Sequence, residues 1–112
     1  MPYNQGDIVL VPFPLTDLSS SKVRPAIVVS CIEVNDTEDV ILAAITTNLR
    51  NDDFSFPIDN SHLTKPMQRQ SEVRCHKLFT CDQTSIQKII TKLSKSQVEK
   101  LIKIIKSCFS TV

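Results

Sequence analysis

Residues 22–30 read KVRPAIVVS, an arginine and a proline set directly in front of a branched apolar run. Ile27, Val28 and Val29 are strand formers heading into a core. Pro25 removes a backbone donor and fixes its own φ, so it belongs at the first residue of a strand or on a sheet edge. The residue before a proline is pushed toward an extended conformation, which holds Arg24 at the rim of the sheet. A guanidinium on so stiff a mount suits a phosphate or a carboxylate. The segment alone equally allows an edge arginine in a surface salt bridge.

The flanking sequence supplies partners for this strand. GDIVLVPF, residues 6–13, begins with a turn at Gly6-Asp7 and continues into a strand over Ile8–Val11. Residues 12–22, PFPLTDLSSSK, hold two prolines, Asp17 and three serines, and read as a long mobile loop between antiparallel strands, where function tends to sit. The Arg24 strand itself is Ala26–Ser30, followed by a turn at residues 35–39. Further strands are expected at Val40–Ile45, Phe54–Ile58, Ser71–Phe79 and Lys88–Leu93, although Ile86, Ile89, Ile90 and Leu93 also match helical spacing. Residues 59–68 form a polar loop, and residues 82–86, DQTSI, a short helical turn.

The C-terminus is the clearest helix. Ser94-x-x-Gln97 has the pattern of a capping box. Val98, Leu101, Ile102, Ile105, Cys108 and Phe109 follow in one apolar stripe, with Lys100, Lys103 and Lys106 off it. Several short strands, one terminal helix and a single glycine in the chain predict a small, partly open barrel and argue against a βαβ fold.

With 112 residues the chain makes one domain, 1–112, and one core. No segment approaches the roughly 18 apolar residues of a membrane span. MPYNQGDIVLVPF carries Asp7 where a signal peptide needs an apolar centre, which predicts a cytoplasmic protein. Cys31, Cys75, Cys81 and Cys108 include no C-x-x-C pair, so neither a metal site nor a cofactor is implied. Reduced thiols are expected, with Cys31 and Cys108 as small core residues. The net charge of +1 hides an asymmetry: residues 1–50 hold three Lys/Arg against six Asp/Glu, residues 51–112 ten against six. A polyanion would have to be bound locally, by the basic half.

No Gly-rich phosphate loop, H-E-x-x-H or G-x-S-x-G is present. Chemistry must come from polar residues at strand ends. Arg24 enters one strand, and Thr46 and Thr47 leave the next. If the two are antiparallel neighbours, all three side chains share a rim. A guanidinium with a hydroxyl donor there makes a clamp for a phosphodiester. Ordinary strand capping is the plainer reading of the threonines. His62 and His76 open another route, a general acid and base pair for RNA cleavage.

The runs GDIVLVPFP, RPAIVVS, AAITTN and SEVRCHKLFTCD, in that order and followed by an amphipathic helix, resemble the MazF/PemK family, toxins of type II toxin–antitoxin systems. The resemblance extends from Gly6 to about Phe109. It implies an SH3-like barrel, a homodimer, a cognate antitoxin with a disordered, partly acidic tail, and mRNA-interferase activity. In that activity single-stranded RNA is cut without metal to a 2′,3′-cyclic phosphate and a 5′-hydroxyl. It also implies that Arg24 and Thr46 are the catalytic pair, with Thr47 the lesser partner. Phe79 stands where some members carry a basic residue, so Arg74 or Lys77 is expected to supply that charge. The expected RNA-binding set is Phe13, Lys22, Thr47, Arg69, Arg74 and Lys77, with Phe13 alternatively a core residue. A non-catalytic binding module on the same barrel, such as a gyrase inhibitor, is the competing function; it would not need Arg24 with Thr46.

Overall fold

A computed structural model describes residues 3–14 and 21–111. The chain runs β1 (Asp7–Pro14), β2 (Ser21–Val28), α1 (Ile32–Asn35), β3 (Asp39–Thr46), β4 (Ser55–Ile58), β5 (Ser71–Asp82), β6 (Lys88–Lys92) and α2 (Lys95–Ser107). The six strands form one antiparallel sheet in the order β4-β5-β3-β2-β1-β6, curled into a half-barrel. The mainly β architecture with a terminal helix is therefore the one the sequence predicts.

Alternation along the strands makes two apolar faces. Ile8, Ile27, Ala43, Ile45, Val73 and Cys75 point to one, where Val98, Leu101 and Ile105 of α2 cover them. Val9, Val11, Ala26, Val28, Val40 and Leu42 point to the other, closed by Ile86 and by part-buried Phe13 and Phe79. Burial on both faces explains why the central strands read as continuous branched runs.

The strands at residues 12–22 are longer than predicted. β1 continues to Pro14 and β2 starts at Ser21, with Pro12 opposite Val23 and Pro14 opposite Ser21. The prolines are tolerated because β6 pairs with β1 only as far as Leu10; beyond it β1 has an open edge that needs no N–H donor. Residues 15–20 of the expected loop lie outside the described residues. Pro57 likewise falls on edge strand β4. The segment 88–92 is a strand despite its helical spacing, because pairing with β1 decides its conformation.

Three expectations are corrected. Cys31 is not a core residue but exposed, at the start of a single-turn helix, α1, that the sequence pattern does not predict. The capping box does not form: Ser94 makes no side-chain cap bond and its Oγ is buried with no partner among the described residues. The Gln97 and Val98 amides instead donate to the Ser94 carbonyl. Phe109 lies past the end of α2 and is 68 % exposed, so the buried stripe ends at Ile105 with Cys108 half-buried beside it. The thiols are unpaired, and burial pushes that of Cys75 up to about 12. No described helix is long and apolar enough to cross a membrane.

Gly6 joins α2 to the sheet. It has φ +99°, donates to the Val28 carbonyl and accepts from the Leu93 amide. A Cβ there would stand 2.9 Å from Val98 Cγ2 and 3.3 Å from the Leu93 carbonyl oxygen. Strain and contact act together, so Gly6→Ala should cost about 1–3 kcal/mol. A denaturation midpoint that falls with an unchanged m-value checks it, and an unshifted midpoint refutes it.

Candidate functional site

β2 and β3 pair with Ala26 opposite Ala44, Ile27 opposite Ala43 and Val28 opposite Leu42. The ladder stops at Ala26, where Pro25 offers no N–H. Carried two residues further, the same register sets Arg24 opposite Thr46. Both share the parity of Ala26 and Val28, whose side chains lie in the second cluster, so both point to that side of the sheet. Across β1, Val11 faces Arg24 and Phe13 faces Lys22, which places Lys22 on the same side. Arg24 and Lys22 are exposed. The ion pairs among described residues belong to Arg74 and Lys92, so the surface salt bridge considered for Arg24 is not seen there.

Thr46 is half-buried, and its Oγ1 accepts from the Asn48 amide at 3.0 Å. The amide occupies a lone pair and leaves the hydroxyl proton free to donate outward. One side chain thus both ends the strand and offers a donor at the rim, so capping and the clamp are compatible readings.

Thr47 is on the other side. It lines a groove of about 580 Å³ with Leu10, Pro25, Met67, Arg69 and Ile89. Lys65 and Lys88 also line it, and no carboxylate does. Arg69 is thereby placed near Thr47, and the two stand apart from the Arg24 side of the sheet.

The register of β5 slips where it passes the rim. Ala43 faces Leu78 while Ile45 faces Val73, so residues 74–77 bulge opposite Ala44. Bulges re-aim side chains and recur beside functional sites. This one carries His76 and Lys77, both exposed. The His76 ring lies 4.7 Å from that of Phe54, tilted by 41°, and Phe54 is 42 % exposed. His62 sits elsewhere, in the turn at residues 60–62 whose carbonyl accepts from the Ser94 amide at 2.9 Å.

Arg74 does not join the solvent-facing cations. It is 8 % exposed, and its guanidinium bonds Asp52 through both terminal nitrogens and Glu72 through one. Hydrogen bonding to Asp52 raises its pKa further, and the same guanidinium holds the Asp52 carboxyl well below the usual carboxylate range. A guanidinium 8 % exposed and neutralised twice within the fold is not offered to solvent, which weighs against the RNA-binding role expected of Arg74. Phe13 is likewise engaged: its ring meets Phe79 edge-on at 4.6 Å over the second cluster, the core alternative raised for it.

Residue reasoning missed the exposed Phe54–His76 pair and the Asp52–Arg74–Glu72 network. The second had a signal, since Glu72 and Arg74 fall on one face of a strand at i, i+2. The first had none, because a bulge sets its geometry.

The family model that matches the chain describes the PemK-like, MazF-like toxin of type II toxin–antitoxin systems and spans residues 4–109. The fold is similar to that of the Mycobacterium tuberculosis toxin MazF-mt6, at 22 % identity, 92 % of this chain and 95 % of that one covered, and TM-score 0.74. It is similar also to a MazE–MazF crystal structure from Deinococcus radiodurans, at 14 % identity, both chains fully covered, TM-score 0.79. A third similar structure is an endoribonuclease in complex with its cognate antitoxin from a mycobacterial species, at 16 % identity, 96 % and 94 % covered, TM-score 0.77. No curated protein sequence matches.

Proposed function

The chain belongs to the PemK-like, MazF-like toxins of type II toxin–antitoxin systems, and from that premise we propose that it is an endoribonuclease cutting single-stranded RNA at the Arg24–Thr46 rim without a metal ion. The observation that supports this reading is the β2–β3 register, which ends at Ala26 opposite Ala44 and, extended by two residues, brings Arg24 level with Thr46. The ribose 2′-hydroxyl attacks the adjacent phosphorus and gives its proton to water, and the P–O5′ bond breaks as the 5′-oxygen takes a proton from water. The products are a 2′,3′-cyclic phosphate and a 5′-hydroxyl. Charge grows on the non-bridging oxygens as the pentacoordinate state forms. Arg24 meets it with a two-pronged donor, and the Thr46 hydroxyl donates to one oxygen. A guanidinium resists deprotonation, so Arg24 serves by electrostatic stabilisation and positioning, not as the base.

Substrate binding is assigned to the free cations around the rim. Lys22 flanks Arg24, Lys77 rises from the bulge, and Arg69 with Thr47 lines the neighbouring groove. Unpaired bases are held by stacking on flat rings, and the exposed Phe54–His76 pair suits that better than Phe13 does. The partners proposed are a second copy of the chain and a cognate antitoxin whose partly acidic tail folds on the toxin; the cytoplasm is the proposed compartment. The test is cleavage of a mixed-sequence synthetic RNA in EDTA, with the ends identified. Cyclic phosphate and 5′-hydroxyl ends are expected. Cleavage that requires a divalent ion would overturn the mechanism, and an RNA left intact would make the barrel a binding module.

A further inference from the structure

Glu72 is the cross-strand partner of Thr46 on one side and of Pro57 on the other, and it is 1 % exposed. Its Oε1 accepts from the backbone amides of Arg50 at 3.2 Å and Asn51 at 3.4 Å. Its Oε2 accepts from Ser55 Oγ at 2.7 Å and from Arg74 at 2.8 Å. Arg74 continues to Asp52 at 3.0 and 2.9 Å, and Asp52 accepts from the Phe54 amide at 3.0 Å. One buried carboxylate therefore gathers the segment from Arg50 to Ser55, which begins four residues after Thr46.

That segment needs holding. Asn51 is the one non-glycine residue with positive φ among those described, at 51°, a minority conformation even for asparagine, which visits it more readily than most residues. Burial pushes the Glu72 carboxyl up, but the hydrogen bonds from Ser55, Arg74 and the two amides together outweigh it and hold the group below its ordinary range. With both oxygens already accepting from two donors each, Glu72 has no site left to take a proton from a substrate. It is not a base.

Nor is it explained as a device for stability alone. Buried ion pairs are often matched or bettered by apolar residues of similar volume. Here one oxygen of Glu72 accepts from two backbone amides of the turn, and Arg74 ties the other to Asp52 within the same segment. What they fix is the place where the chain leaves β3.

We propose that Glu72 is a positioning residue for RNA cleavage: through the Arg50 and Asn51 amides it seats the turn after β3 and so keeps the Thr46 hydroxyl opposite Arg24. This rests on the reading that the rim cuts RNA. The carboxylate makes no hydrogen bond to Thr46 or Arg24; its effect passes through the backbone.

The test uses Glu72→Gln and the double change Glu72→Val with Arg74→Leu, which removes the buried charges together and spares the fold. An amide at 72 would turn donors toward donors on one side of the clamp. In both variants kcat should fall about 10- to 100-fold, as for a misplaced catalytic group, while KM stays within about threefold. Amide hydrogen exchange at Arg50 and Asn51 should quicken by about tenfold or more, with the α2 amides unmoved. The double variant should melt near the wild-type temperature and still cut slowly, since volume is restored and position is not. A double variant that cuts at the wild-type rate overturns the proposal, as does unchanged exchange at Arg50 and Asn51 in Glu72→Gln. Wild-type protein that leaves RNA intact overturns the function instead, and exchange tells the two failures apart, because it reads the clamp without any substrate.

Discussion

Arg24→Ala should lower RNA cleavage about 10²- to 10³-fold, the loss typical of removing one oriented donor from a developing oxyanion. Its melting temperature should barely move. Arg24 is exposed at the open end of β2 and pairs with no described acidic residue, and surface changes of that kind sit within about 0.5 kcal/mol. Cleavage and stability therefore separate cleanly at this position. The loss should appear in kcat more than in KM, because the guanidinium bonds the charge that grows only as the phosphorus becomes pentacoordinate. Arg24→Lys should recover only part of it, since an ammonium keeps the charge but loses the planar fork. Rates measured on one synthetic RNA, in EDTA, decide the matter. An Arg24→Ala protein that cuts as fast as wild type would move the chemistry elsewhere, and the bulge carrying His76 and Lys77 would be the place to look.

What made the rim legible was backbone chemistry. Pro25 lacks an N–H, so the ladder must end beside it, and Arg24 falls at the open end. The threonines at residues 46 and 47 end the next strand, and antiparallel pairing does the rest. The same reasoning failed at Pro12 and Pro14. Both read as loop residues in the sequence, yet they lie in β1 because the neighbouring strand β6 stops short at Leu10. Proline reports a missing donor; only the tertiary neighbours tell whether a donor was needed. Thr47 separated from Thr46 because β3 ends between them: Thr46 keeps its place at the strand's last position, while Thr47 bends away to line the groove with Pro25 and Arg69. Arg74 is the clearest limit. A basic residue in a basic half looks like a phosphate ligand; Glu72 is its neighbour on the same strand, but Asp52 meets it only once β4 lies against β5. Ser94 failed in the other direction. Its capping pattern was sound locally, but the hydroxyl is buried and the cap bond is not made.

The opposite signature belongs to Leu101→Ala. Leu101 is fully buried between α2 and the face of the sheet that bears Ile8, Ile27 and Val73. Truncation there removes apolar contact and leaves a hole that a stiff sheet cannot collapse to fill, at a cost of about 2–5 kcal/mol. A domain of this size holds only about 5–15 kcal/mol in all, so the melting temperature should fall by roughly 10 °C or more. The rim lies on the other side of the sheet, where Arg24 and Thr46 share the face of Ala26 and Val28. Below its transition the variant should therefore cut RNA at a rate, per folded molecule, within about twofold of wild type, since distant sites without shared partners act additively. Thermal melts and cleavage at a low temperature measure the two quantities on one preparation. If Leu101→Ala lost cleavage as deeply as Arg24→Ala while still folded, the helix would be bracing the rim through the sheet. The two faces would then be one mechanical unit, and the register of β2 on β3 would have to depend on what α2 presses against it.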